Sequence, residues 1–117
     1  MKLSPFFFVT FLDFFSWNQS IEVEETFEVV SNRQGVVGAI VLSRSGVAVK
    51  STFNEAQTAL WSSLVGEAIT QARTVGQIIE TTSNLTMLRI RSSRHEVMIA
   101  PEKDFILMVI HKQLQEN

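Results

Sequence analysis

The sequence predicts an α+β domain: one five-stranded antiparallel sheet with a long helix on one face and a short N-terminal helix on the other. Three observations predict it. Five β-rich runs occur, and they fall as two and three around one long stretch of helical spacing that contains no proline. Two of the runs, "VVGAIVLS" at 36–43 and "FILMVI" at 105–110, are apolar without alternation, as strands are when both faces are covered. With 117 residues and 45% hydrophobic content, the chain fits one globular domain.

Ser20 can cap a short helix over 22–33, where Val23, Phe27 and Val30 recur at helical spacing. Glu22, Glu24 and Glu25 suit the positive N-terminal end of that helix, and Gly35 ends it. The run at 36–43 then forms a hairpin with "VAVKSTF", the turn falling at "RSG". A second helix is predicted over 55–75, capped by Asn54 or Thr52. Three strands close the chain, separated by "SSRH" and by "APEKD", where Pro101 fits the first central position of a turn. The apolar runs at 36–43 and 105–110 are the expected central strands.

Residues 1–20, "MKLSPFFFVTFLDFFSWNQS", differ from the rest, since they hold one Lys, one Asp and a cluster of Phe. Domain organisation is therefore read as a leader at 1–20 and a single domain at 21–117. Lys2 followed by Phe6 to Phe15 loosely imitates a secretory signal, but Asp13 interrupts the run and no small-residue cleavage site follows. It is also shorter than the roughly 20 apolar residues that span a bilayer. A variant or disordered leader is the favoured reading, ahead of an added packing element or interfacial anchor, and of a true signal.

Two helices are little material to bury two faces of a sheet, and the long one carries a wide apolar band. Ala56, Leu60, Trp61, Leu64, Val65, Ala68, Ile69, Ala72 and Val75 exceed what one sheet contact requires, so part of the band should face another subunit. Trp61 is the natural anchor, and Gly66 would let two helices approach closely. The alternative is a broad core face within one chain.

Candidate chemistry is thin. A net charge of -2 gives no excess of positive charge for a nucleic acid backbone. The absence of cysteine removes disulfides, thiolate metal sites and a cysteine nucleophile. His95 and His111 fall on different strands with no third ligand at metal spacing, and read as solvated strand residues. "GVVG" at 35–38 matches neither glycine-rich phosphate motif. Arg89 and Arg91 alternate with Leu88 and Ile90, which places them with Arg94 as a small basic group on an edge strand; there they guard against wrong pairing or meet an acidic partner. The sequons at Asn18 and Asn84 matter only in a secreted chain. No catalytic, cofactor-binding or metal residues are assigned, and no enzyme activity is expected.

The segments "VEETFEVVSNRQGVVGAIVLSRSGVAVKST" at 23–52 and "NLTMLRIRSSRHEVMIAPEKDFILMVI" at 84–110 resemble the roadblock-type light chains of cytoplasmic dynein, in the roadblock domain family. The resemblance spans about residues 22–111 and is most specific in "LTMLRIRS" and "EVMIAPEKDF"; the leader has no counterpart. It implies a homodimer in which the long helices pack together and the strand within 85–92 pairs edge to edge. The dimer-interface residues are then Leu60, Trp61, Leu64, Val65, Ala68, Leu88 and Ile90. It further implies a noncatalytic light chain that binds the dynein intermediate chain in cytoplasmic, microtubule-based transport, with no cofactor and no membrane span. Roadblock-like domains also occur in complexes that control small GTPases, so a GTPase-regulating scaffold is the alternative. A membrane-anchored or secreted variant made by the leader is a third reading. Many relatives carry a third helix after the last strand, where "HKQLQEN" stands here, so an apolar surface is left for a partner helix.

Overall fold

The computed structural model of the chain describes residues 23–113; the leader and the Asn18 sequon lie outside them. Helix α1 is Val23–Ser31 and strands β1 and β2 are Val36–Ser43 and Ala48–Ser51. Helix α2 is Glu55–Ile79, followed by β3, Leu88–Arg91, β4, His95–Pro101, and β5, Phe105–Lys112. The strands form one sheet in the order β2-β1-β5-β4-β3, with every neighbouring pair antiparallel. The two unbroken apolar runs thus sit where their composition requires, β5 in the middle and β1 beside it.

The alternation of side chains sorts the core into two layers. On one face, Ala39, Val41, Met98, Leu107 and Val109 pack with Phe27 and Val30 of α1. On the other, Ile40, Leu42, Ile99, Met108 and Ile110 pack with Val65 and Ile69 of α2. Both faces are buried over Gly38–Leu42 of β1 and Leu107–His111 of β5, which explains why neither run alternates, while Val37 at the start of β1 is 51% exposed.

Local chemistry fixes the joints. Asn54 caps α2, its side chain accepting the Gln57 N–H at 2.8 Å, while Thr52 is occupied elsewhere. The Ala39 N–H donates to the Thr52 hydroxyl at 2.9 Å and the Thr52 N–H returns to the Ala39 carbonyl at 3.0 Å, tying the end of the hairpin to β1. Gly38 is buried because the Phe53 ring lies where a Cβ would stand, and Phe53 in turn meets Trp61 with ring centroids 6.2 Å apart. Gly35 has φ +89°, and a Cβ there would stand 2.7 Å from His111 Cε1, so both backbone and space demand glycine.

Helix α1 stops at Ser31, short of the expected residue 33, and the chain turns there with the Arg33 N–H donating to the Val30 carbonyl at 3.2 Å. Two further differences from the sequence expectation concern α2 and Pro101. Helix α2 runs on past Val75 to Ile79, with Gly76 inside it and the Glu80 N–H donating to the Gly76 carbonyl at 3.0 Å. Pro101 does not open the turn; it ends β4 opposite Ile106. The Glu102 N–H points to Phe105 O of β5 at 2.8 Å, so the Pro101 nitrogen faces the β3 side. There the pairing has already ended at Leu88 and Ile99, and a missing N–H costs no ladder bond.

Candidate interaction surface

The residues expected at an interface fall into three groups. Leu60, Leu64 and Ile90 are exposed, at 60%, 44% and 47%. Trp61, Ala68 and Leu88 are half-buried against the α2-side core. Val65 is 2% exposed and belongs to the core of the single chain, because its position on α2 points at the sheet. The wide apolar band is therefore partly core and partly surface, and its outward part continues along α2 to Val75, Ile78 and Ile79. Gly66 lines a shallow groove of about 440 Å³ with Ser62, Ser63 and Thr70, against the β1–β2 turn at Ser45 and Gly46.

The two sheet edges are not equivalent. Against β1, Lys50 stands opposite Val41 but Ala48 stands opposite Leu42, so Val49 is an extra residue and the β2 edge is bulged. Strand β3 pairs with β4 through four consecutive residues without a slip. Because the Ser92 N–H donates to His95 O at 2.9 Å, Ile90 and Leu88 also turn their backbone groups towards β4. Arg89 and Arg91 consequently present theirs to the open edge, a regular template for another strand.

The arginines also do something the sequence reading missed. On the α1 side of the sheet, Arg89 donates from Nε and Nη2 to the Glu96 carboxylate, the second contact at 3.1 Å, and Arg91 Nε lies 3.4 Å from Oε2. Glu96 has no exposed surface, while the Arg89 and Arg91 side chains are 30% and 40% exposed. The signal lay in hairpin arithmetic: a two-residue turn at Ser93 and Arg94 sets Arg91 opposite Glu96. Arg94 and His95 stay exposed.

His111 is not a solvated strand residue as expected. It is 7% exposed, lies under Gly35, and its Nδ1 donates to the Lys112 carbonyl at 2.8 Å. Among the described residues no group of three or more His, Asp or Glu side chains is placed to hold a metal ion. No described helix is long and apolar enough to cross a membrane.

Comparison with known proteins gives the same architecture a family context. A family model described as "Roadblock/LC7 domain" matches residues 22–112. The crystal structure of a Roadblock/LC7 domain from Streptomyces avermitilis superposes with a TM-score of 0.65 at 11% identity, over 73% of this chain and 72% of that one. A structure of MglB with tetrameric arrangement superposes with a TM-score of 0.65 at 10% identity, over 76% of this chain and 69% of that one. At such identities the likeness is one of fold.

Proposed function

The chain belongs to the Roadblock/LC7 domain family, and we propose that it acts as a noncatalytic, self-associating scaffold subunit that holds a partner protein. One observation carries this reading: the apolar stripe from Leu60 and Leu64 along α2 is exposed, and the β3 edge, where Ile90 is also exposed, is regular. An isologous pairing of two β3 edges would extend the sheet and bring both α2 helices to one side of it. The oligomer named for MglB is in keeping with self-association.

Two partner classes fit such a scaffold. A regulator of a small GTPase is supported by membership of the Roadblock/LC7 family, since roadblock-like domains also occur in complexes that control small GTPases. A cytoplasmic dynein light chain that binds the intermediate chain on microtubules is supported by the strings "LTMLRIRS" and "EVMIAPEKDF".

The test is a light-scattering mass of the full chain alone, then with a dynein intermediate chain peptide, then with a small GTPase whose nucleotide exchange is followed. Twice the 13.2 kDa of one chain is expected at the start. A rise with the peptide selects the motor reading; a rise with the GTPase and a changed exchange rate selects the other. A monomer at tens of micromolar that binds neither overturns the proposal.

A further inference from the structure

Arg89 and Arg91 stand on the α1 side of β3, three places in the sheet from β1, on which α1 is seated, and their side chains are 30% and 40% exposed. One carboxylate holds both heads. Glu96, with no exposed surface, accepts from Arg89 Nε and Nη2, and its Oε2 lies 3.4 Å from Arg91 Nε. Among the described residues this is the one contact of the Arg91 guanidinium, so the donors on its Nη1 and Nη2 make no hydrogen bond there. Two guanidiniums against one carboxylate leave each β3–β4 hairpin one positive charge in excess at this place. A two-fold axis that pairs two β3 edges stands perpendicular to the sheet and keeps both α1 sides together. Directly opposite residues of an antiparallel pair share a face, so the arginines of one chain then stand across from those of its copy, about 5 Å away, with about 7 Å between neighbours along each strand. Four arginines and two buried carboxylates share one patch with two positive charges in excess, although the dimer as a whole carries twice -2, or -4. Like charges set opposite one another weaken a strand pair, and an anion lying over the patch removes that cost.

We propose, resting on self-association through β3, that this patch binds an acidic segment of a partner protein, its Asp or Glu side chains lying over the two-fold axis against the arginines of both chains. Guanidinium edges take carboxylates two-pronged, and Arg91 has such an edge to offer. The patch is only as wide as one short segment, and the negative charge of the dimer opposes a nucleic acid or an anionic membrane, which would meet much more of the surface. A single segment crosses the axis, so one is bound per two chains. Because the four arginines come together only when the edges are paired, binding and self-association reinforce each other.

The test follows fluorescein-labelled hexaglutamate by anisotropy on the full chain, with self-association measured in parallel by sedimentation. One peptide per two chains is expected, bound more weakly as salt is raised and tightening the dimer when bound. Arg91→Gln should lower the affinity at least about tenfold while the dimer persists. Lys103→Gln removes the same charge from the exposed β4–β5 turn at the far end of the sheet and should leave the affinity unchanged. A dimer that ignores the peptide, an equal loss in both variants, or one peptide bound per chain overturns the proposal and leaves the scaffold reading standing. A chain that stays monomeric overturns the self-association reading, and this one with it. Capture by phosphatidylserine vesicles that is lost in Arg91→Gln, without any binding of hexaglutamate, assigns the patch to a membrane and overturns the proposal as well.

Discussion

Arg89 and Glu96 meet across the β3–β4 hairpin in a two-point contact, with Nη2 3.1 Å from Oε1, and the carboxylate is fully buried while the guanidinium side chain is 30% exposed. The asymmetry decides which partner is costly to lose. Removing Arg89 leaves a buried carboxylate held only by Arg91, whereas removing Glu96 leaves two arginines that reach water. Arg89→Ala should therefore lower the unfolding free energy by about 2–4 kcal/mol, and Glu96→Leu by about 1 kcal/mol or less. Urea denaturation of the two variants gives the order directly; a larger loss in Glu96→Leu would refute the account.

That pair marks the limit of what was legible in the sequence. Unbroken runs at 36–43 and 105–110 announced central strands because burial on both faces removes the alternation, and the two-three grouping around one helix announced the sheet. Periodicity could not divide the α2 band, since a helix with apolar residues on two sides reads alike whether the outer side meets core or solvent. Val65 and Leu64 are adjacent in sequence, yet one is 2% exposed and the other 44%. Glu96 was missed because a charge in an alternating strand suggests a solvated face, and only the register reveals its arginines.

Gly38 supports the α2 layer through a contact rather than through backbone freedom. The Phe53 ring fills the place of its Cβ, and Phe53 is half-buried against Trp61. Gly38→Ala should cost about 1–3 kcal/mol by overpacking. Combined with Phe53→Leu, the loss should be less than the sum of the two single losses, because the smaller side chain relieves the clash. Strict additivity in thermal or urea unfolding would show that the ring moves aside freely.

The outward part of α2 separates assembly from folding. Leu60→Asp and Leu64→Asp place charges at positions 60% and 44% exposed, so monomer stability should move by no more than about 0.5 kcal/mol. Self-association should weaken by about tenfold or more if these side chains are interface anchors. Trp61→Asp and Val65→Asp should reduce both quantities, since these two residues pack against the α2-side core. Sedimentation velocity paired with urea unfolding distinguishes the patterns, and dimerisation untouched by both Leu variants would remove α2 from the interface.

The edges of the sheet offer the sharper comparison. Ile90 on β3 and Val49 on β2 are both exposed apolar residues on edge strands, at 47% and 58%, but only β3 is free of a bulge. A bulge twists an edge and interrupts its row of backbone groups, which makes β2 a poor template. Lysine at either position adds a charge that discourages strand pairing at little cost to the monomer. Ile90→Lys should then weaken self-association by about tenfold, one subunit meeting the same charge on the other, whereas Val49→Lys should leave it unchanged. The opposite result in sedimentation would move the contact to β2, and would require the bulge at Val49 to be an adaptation for pairing instead of a guard against it.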